Sequence, residues 1–156
     1  MNSYNGFSGE QRLRALDWIN AEYRAGRRKR PTRCEACGQT EGAFDAHSED
    51  YSSPFGPHIG RFSLCFVCHL MIHGRGRSPA AWDHYRALVR EGWRTIPVSS
   101  RNLGFVNKVQ GVLNRASAPL DDTGLFRRGD PPVRLVLDAI AGDKASGGGP
   151  FRYRVP

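Results

Sequence analysis

The segment that decides the fold spans residues 34–73 and reads CEACGQTEGAFDAHSEDYSSPFGPHIGRFSLCFVCHLMIH. It contains all four cysteines of the chain, arranged as two C-x-x-C pairs: Cys34 with Cys37, and Cys65 with Cys68. A C-x-x-C turn presents two thiolates at the spacing that one tetrahedral zinc ion accepts, and two such turns together complete a closed, structural site. The segment therefore predicts a zinc ion held by four cysteines.

The same segment also fits an alternative metal site with mixed ligands. The first cysteine pair with His69 and His73 would form a site of two cysteines and two histidines, since H-x-x-x-H is also a zinc-finger spacing. That set leaves the second cysteine pair without a role. In either case we expect reduced thiols, because paired C-x-x-C motifs in an intracellular chain are more often metal sites than disulfides.

Composition and charge restrict the class of protein. The chain has 156 residues, 39% of them hydrophobic, and 18 glycines, which indicates about one domain with a modest core and many loops. Its formal net charge of +8 favours a polyanionic partner, nucleic acid before anionic membrane. No run approaches the roughly 18 apolar residues of a spanning helix, and no secretory signal is visible. We therefore expect a cytoplasmic protein without a membrane partner.

The central segment itself predicts a strand, a loop, a second strand and a helix. Residues 43–47 alternate in polarity and predict a strand, and 61–64 predict a second one. The proline- and glycine-rich residues 48–60 predict the loop between them. Residues 66–73 have a helical pattern that Gly74 ends. The fold class that follows is α+β.

Helices are predicted on both sides of this segment. A capping box at Ser8 predicts a helix over about 9–25, after a frayed start at 1–7. Its apolar stripe is expected in the core: Leu13, Leu16, Ile19 and Tyr23. A second helix is expected to begin at Ser78-Pro79 and to end at Gly92. Its apolar face comprises Trp82, Tyr85, Leu88 and Val89.

Three regions follow from these elements. Residues 1–33 form an N-terminal helix and a basic arm, and 34–94 form the cysteine-containing core with the helix after it. Residues 95–156 form a C-terminal extension, with helices expected at about 102–116 and 130–141 and a flexible break at 147–149. We expect this extension to serve DNA recognition or dimerisation.

Basic residues concentrate at two places in the chain. The arm at 24–33 has six basic residues and no acidic one, and a connector follows the central segment. Like charges packed this densely repel one another unless a polyanion neutralises them. We expect phosphate contacts from Arg27, Arg28, Lys29, Arg30 and Arg33 in the arm, and from Arg75 and Arg77 in the connector.

Three histidines of the central segment predict a second metal site if zinc takes the cysteines. His69 and His73 are four residues apart on the predicted helix, so both imidazoles lie on one face. His47 ends the first strand, and Asp45 lies two residues earlier on the same face of that strand. Together they indicate a compact site, separate from the cysteines, that is open enough for a hydrated cation.

These motifs together resemble the HNH endonucleases, the ββα-metal nucleases, in their zinc-stapled branch. The resemblance rests on C-x-x-C, then Asp45-Ala-His47-Ser48-Glu-Asp50-Tyr51-Ser-Ser-Pro54, then Leu64-Cys65-x-x-Cys68-His69-x-x-x-His73. It covers roughly a quarter of the chain. It implies a ββα-metal core stapled by zinc, with flanking helices, and hydrolysis of phosphodiester bonds in double-stranded DNA. It also implies one catalytic divalent ion, Mg²⁺ or Mn²⁺, that binds the scissile phosphate.

The resemblance assigns His47, His69 and His73 to the catalytic site and leaves two registers open at its first histidine. The family often has two adjacent histidines, a metal ligand and then a general base, whereas this chain has His47-Ser48. In the first register His47 is the ligand and Ser48 stands at the base position. Serine titrates far too high for that task, so either the base comes from the loop, where His58, Tyr51 and Asp50 are candidates, or activity is weak or absent. In the second register His47 is the base, and Asp45 or another acid serves the metal.

Two classes of function remain open from the sequence. A small restriction-type enzyme acting as a homodimer, or a phage or mobile-element nuclease, fits the nuclease interpretation. A non-catalytic zinc-dependent DNA-binding module is the alternative, which Ser48 favours. An RNA-binding zinc protein has support only from the charge and from the C-terminal aromatic residues.

Overall fold

The computed structural model describes residues 1–99, 103–114 and 120–129, together with residues 137 and 140. In chain order the elements are α1 (Gly9–Arg24), β1 (Phe44–His47), β2 (Phe62–Cys65), α2 (Phe66–Gly74), α3 (Pro79–Arg90), β3 (Trp93–Thr95), α4 (Leu103–Asn114), a 3₁₀ turn (Asp121–Thr123) and β4 (Phe126–Arg128). The fold is mixed α+β with two small antiparallel sheets. None of the helices within these ranges has the length and apolar character needed to span a bilayer.

The first sheet leads directly into a helix. Strands β1 and β2 pair antiparallel with His47 opposite Phe62, and α2 begins at Phe66, the residue after β2 ends. The predicted order of strand, loop, strand and helix in the central segment is confirmed. Because side chains alternate along a strand, Asp45 and His47 share one face of β1. Helix α2 packs against both strands as well as against α3 and α4.

Helix α1 confirms the predicted capping box but not the predicted core stripe. The Ser8 hydroxyl accepts from the Gln11 amide, and the Gln11 side chain accepts from the Ser8 amide. Leu13 and Leu16 are 44% and 42% exposed, so the prediction that the whole stripe is core is wrong. Only a narrow part of α1 is covered, because it packs on a small separate cluster around Ile59 through the buried residues Ala15 and Ile19.

The main core lies around α2 and α3. The predicted apolar face of α3 is confirmed, since Trp82, Tyr85, Leu88 and Val89 are all buried. They join one cluster with Met71 and Ile72 of α2, with Val109 of α4 and with the four cysteines. The cysteines therefore lie inside the hydrophobic core, where a cation would be shielded from water.

The C-terminal third contains a pairing that the sequence did not indicate. Strands β3 and β4 form an antiparallel pair with Thr95 opposite Phe126. This pair joins residues on both sides of the predicted boundary after residue 94. Helix α4 confirms the helix expected at about 102–116. The helix predicted over 130–141, apart from residues 137 and 140, lies outside the described residues, as do the break at 147–149 and the C-terminal tail.

Candidate metal centres

The four cysteines lie together in the core. All are buried, and their Sγ atoms lie within 4.8 Å of one another. The Sγ atoms of Cys37 and Cys65 are 3.9 Å apart. Four sulfurs around a tetrahedral zinc, with a Zn–S distance of about 2.3 Å, would be separated by about 3.8 Å. The group is therefore compatible with one metal ion, and the predicted pairing of the two C-x-x-C turns in space is confirmed.

Two backbone amides of the first turn donate to Cys34, one to its sulfur and one to its carbonyl oxygen. The Cys37 N–H donates to the Cys34 Sγ over 3.5 Å, and the Gly38 N–H donates to the Cys34 carbonyl over 2.9 Å. Gly38 has a φ of 79°, a left-handed conformation that favours glycine. The turn is thereby held in one conformation, with both of its cysteines directed into the cluster.

Thr95 of β3 also contacts the cysteine cluster. Its hydroxyl oxygen lies 3.0 Å from the Cys65 Sγ and 3.5 Å from the Cys37 Sγ. The Gln39 side-chain amide in turn donates to the Thr95 carbonyl over 2.7 Å. These bonds tie the C-terminal strand pair to the cluster. No sequence pattern indicated this role for Thr95, because it is remote from the cysteines along the chain.

The protonation of the thiols indicates what a cation would contribute. Burial raises the pKa of Cys65 and of Cys68, whereas a hydrogen bond from the Cys34 thiol lowers the pKa of Cys37. Without a cation, four adjacent buried thiols resist full ionisation because each thiolate disfavours the next. A bound divalent ion removes this conflict.

The three histidines form a second group, distinct from the cysteines. One ring nitrogen from each of His47, His69 and His73 lies within 4.8 Å of the others. The Nε2 atoms of His69 and His73 are 3.0 Å apart, and the His47 ring centroid is 5.1 Å from each of their rings. Two nitrogens bound to one ion at about 2.1 Å each would lie about 3.0 Å apart at an octahedral angle and about 3.4 Å apart at a tetrahedral one. The mixed site of two cysteines and two histidines is wrong, since the histidines converge with His47 and not with the first cysteine pair.

Asp45 orients one of these imidazoles. Its Oδ2 lies 2.7 Å from the Nδ1 of His69. Because an ionised carboxylate only accepts, Nδ1 carries the hydrogen and Nε2 presents its lone pair to His73. The converging group comprises the three histidines and not Asp45. The direct coordination of a metal by Asp45 stays a prediction.

The chain holds the three imidazoles neutral. Burial lowers the pKa of His47 and of His69 to about 4. Burial, with the charge of the neighbouring histidines, lowers the pKa of His73 to about 2. Each ring therefore offers one lone pair at neutral pH, which is the form that binds a metal ion.

Glu49 contacts the histidine group and was not singled out by the sequence analysis. It is 5% exposed, and its Oε1 lies 2.5 Å from the Nε2 of His47. Its other partners include Tyr4 and Asn5, which belong to the start of the chain that was expected to be frayed. Tyr4 also lies against the histidine group, with its ring centroid 4.4 Å from that of His73. Of these residues only Glu49 could have been found from the sequence, because it is an acidic residue two positions after the candidate ligand His47.

The candidate bases of the loop have other hydrogen-bond partners. The Ser48 hydroxyl oxygen accepts from the Gly60 amide over 2.7 Å. The Nε2 of His58 lies 2.9 Å from the Ser52 carbonyl oxygen, and Asp50 accepts from the Ser52 amide. Tyr51 is partly buried, and burial raises its pKa further from neutrality. These contacts favour none of the four as a general base.

A groove of about 350 Å³ opens beside the histidines, between α1 and β1. His69, Asp45 and Ser48 line it on one side, and α1 lines it on the other. Arg12 of α1 lies at this groove with its guanidinium 5.2 Å from the Tyr4 ring centroid and 5.3 Å from that of Tyr51. Arg30 lines the same groove. The groove therefore brings fixed positive charge to the side of the histidine group on which His69 lies.

The residues predicted to bind DNA divide into two kinds. Arg27, Lys29, Arg30, Arg33 and Arg77 are exposed, and Arg28 is partly buried. Arg75 is 6% exposed, and its Nη2 lies 2.7 Å from the Glu49 Oε2. Its guanidinium therefore lies in the interior beside the histidine group and is not exposed at the surface.

Comparison with known proteins gives no identification. The chain matched no protein-family model, no curated protein and no solved structure.

Proposed function

We propose that this chain is a metal-dependent endonuclease of the HNH type that hydrolyses phosphodiester bonds in double-stranded DNA. The observation that carries the proposal is the convergence of His47, from the end of β1, with His69 and His73 of α2. Three neutral imidazoles on a strand–strand–helix unit, beside a separate cysteine cluster, are the arrangement that the resemblance implies. The cysteine cluster would hold zinc as a structural ion.

The histidine group suits an exchangeable divalent ion. Its ligands are imidazoles, which favour transition metals, while Mg²⁺ prefers oxygen ligands and water. Mn²⁺ is therefore a stronger candidate than Mg²⁺ among the two expected ions. When bound, such an ion would polarise a phosphate oxygen and stabilise the leaving oxygen.

The chain's own residues would position the phosphate. The groove places Arg12 and His69 on one opening, so a phosphodiester bound there would meet both the histidine group and a guanidinium. Tyr4 and Tyr51 pack against the Arg12 guanidinium and restrict its position. Guanidinium groups bind phosphate oxygens through two parallel hydrogen bonds.

The geometry favours the first of the two registers. His47 lies with the other two histidines, as a ligand would. The Ser48 hydroxyl accepts from the Gly60 amide. A serine hydroxyl stays protonated at neutral pH and cannot accept a proton from water, so we do not propose Ser48 as the general base. Exposed arm residues, with Arg77, would contact the DNA backbone. Action as a homodimer would allow both strands of a palindrome to be cut.

Cleavage of supercoiled plasmid tests the proposal. We expect cutting with Mn²⁺, weaker cutting with Mg²⁺ and none with EDTA. The variant His73→Ala should lose cutting, whereas the control His84→Ala should keep it, since His84 accepts from the Leu120 amide, outside the histidine group. Cutting that persists in EDTA or in His73→Ala would overturn the proposal.

A non-catalytic DNA-binding module is the second candidate, and Ser48 is the residue that favours it. If Ser48→His cuts plasmid and the unmodified chain only binds it, position 48 is the missing base. The chain would then be a binding module built on an inactive nuclease. Cutting by the unmodified chain would exclude this candidate.

A further inference from the structure

Four hydrogen-bond donors surround the carboxylate of Glu49. Its Oε1 accepts from the Tyr4 hydroxyl over 2.7 Å and lies 2.5 Å from the His47 Nε2. Its Oε2 accepts from the Asn5 side-chain amide over 2.6 Å and from the Arg75 guanidinium over 2.7 Å. A carboxylate offers about four lone-pair sites, so these partners saturate Glu49. It has no lone pair to spare for a metal ion.

This network determines which nitrogen of His47 carries the hydrogen. The Arg75 guanidinium pairs with the Glu49 carboxylate over 2.7 Å, and Tyr4 and Asn5 also donate to it, and these contacts favour the ionised form of the carboxylate. An ionised carboxylate can only accept, so the hydrogen in the contact belongs to Nε2 of His47. The lone pair of the neutral ring is then on Nδ1.

The Nδ1 atom of His47 is buried and has no hydrogen-bond partner among the described residues. A buried polar atom without a partner is unfavourable, and such atoms often mark a site for an ion or a water molecule. The His47 ring stands nearly edge-on to its neighbours, at 74° to His69 and at 85° to His73. Since Nε2 is engaged by Glu49, Nδ1 is the atom that His47 can offer to a shared ion.

His69 shows the opposite arrangement. Its Nδ1 contacts Asp45, so its Nε2 is the atom that faces the shared site. Two carboxylates therefore set opposite tautomers in two neighbouring histidines. One carboxylate lies two residues before His47, and the other lies two residues after it.

We infer that Glu49 is a positioning residue that fixes His47 to bind the metal ion through Nδ1, while Asp45 fixes His69 to bind through Nε2. Arg75, Tyr4 and Asn5 hold Glu49 in place, so the turn before α1 is part of the metal site. The inference rests on the proposed metal site but not on DNA cleavage.

Nitrogen-15 NMR of histidine-labelled protein tests the tautomers directly. Long-range ¹H–¹⁵N correlations distinguish a protonated ring nitrogen from one with a lone pair, and they follow each nitrogen when Zn²⁺ is added. We expect His47 to carry its hydrogen on Nε2 and to show the metal-induced shift on Nδ1, with the reverse for His69. A hydrogen on Nδ1 of His47, or a metal-induced shift on its Nε2, would overturn the inference.

Calorimetric titration with Mn²⁺ measures how much Glu49 contributes to the affinity of the histidine group for a metal ion. Carboxylates that hold metal-binding histidines are typically worth 10–100-fold in affinity. We expect Glu49→Gln to weaken the binding of Mn²⁺ to this extent, and Tyr4→Phe to weaken it less. Glu41→Gln, which removes the same charge at an exposed position, should leave binding unchanged.

The two failures are distinguishable. If the unmodified chain takes up no second ion, the proposed function fails, while the tautomers of His47 and His69 can still be determined by NMR. If the unmodified chain binds Mn²⁺ and both Glu49→Gln and Tyr4→Phe bind it equally well, only the inference about Glu49 is wrong. Retention of the cysteine-bound zinc by each variant would show that the fold is intact.

Discussion

The cysteine cluster and the histidine cluster are adjacent in the chain but differ in their exposure to solvent. Cys68 and His69 are consecutive residues of α2, yet each belongs to a different group. The four cysteines are all buried in the main core, where one backbone amide and the Thr95 hydroxyl contact their sulfurs. The histidine group has two partly buried members and opens into a groove with Arg12. A closed group suits a structural ion, whereas an open group can admit a substrate.

The helix explains how one segment serves both groups. Residues three or four apart lie on one face of a helix, so His69 and His73 project together. Cys68 lies about 100° around the axis from His69 and faces the core instead. The two clusters are thus held by the same rigid element but are exposed to different surroundings, which makes their loss separable by mutation.

The largest effect should come from breaking the cysteine group. We expect Cys34→Ser to abolish folding, because structural zinc contributes about 10–16 kcal/mol in zinc-finger peptides, comparable to the whole stability of a domain of about 5–15 kcal/mol. Circular dichroism and zinc content would measure this. A folded, zinc-free Cys34→Ser protein that still cuts DNA would contradict the structural role of the cluster.

Breaking the histidine group should remove cleavage without unfolding the chain. We expect His73→Ala to lower plasmid cleavage by more than about 100-fold, because even residues that only support a metal ligand are worth 10–100-fold. Its thermal unfolding midpoint should stay close to that of the unmodified chain, as the main core is untouched. Loss of zinc and of structure in His73→Ala would show that the two groups are not independent.

The groove between α1 and β1 predicts an intermediate effect. We expect Arg12→Ala to lower cleavage on the order of 100-fold with the fold intact, as the removal of one preorganised donor often does. Arg14→Ala is the matched control, because Arg14 lies on the same helix, largely exposed, and pairs with Glu10. Equal cleavage rates for the two variants would show that Arg12 does not bind the phosphate.

The smallest effect should come from the hydroxyl that contacts the cysteines. We expect Thr95→Val to lower the free energy of unfolding by about 0.5–1.5 kcal/mol, the usual net value of one hydrogen bond. Urea unfolding would measure this, with the exposed Thr40→Val as a control. Mn²⁺ binding at the histidines should not change, and a change there would show that Thr95 acts beyond the cysteine group.

Local patterns were sufficient to predict the elements that carry both groups. The C-x-x-C turns, the H-x-x-x-H spacing and the alternation around His47 are encoded within a few residues each, and the structure brings these side chains together as expected. The capping box at Ser8 and the apolar face around Tyr85 are equally local. Short-range spacing is therefore informative where a helix or a turn fixes the geometry by itself.

Contacts between distant parts of the chain could not be predicted in this way. Thr95 reaches Cys65, and Tyr4 reaches Glu49, through tertiary packing that leaves no periodic signal. Arg75 was expected on a DNA-facing surface because a basic connector is normally solvated, but the buried charge of Glu49 pairs with it. Leu13 was expected in the core because periodicity shows an apolar stripe but not how much of it is covered.

Metal content measured before and after the histidine mutation tests the two-site claim most directly. The unmodified chain and His73→Ala would each be dialysed against EDTA, then equilibrated with Co²⁺, and their bound metals counted. We predict one retained zinc per chain in both proteins, and one additional cobalt ion in the unmodified chain only. An equal uptake of cobalt by both proteins, or loss of the retained zinc from His73→Ala, would contradict the claim that the cysteines and the histidines form separate metal sites.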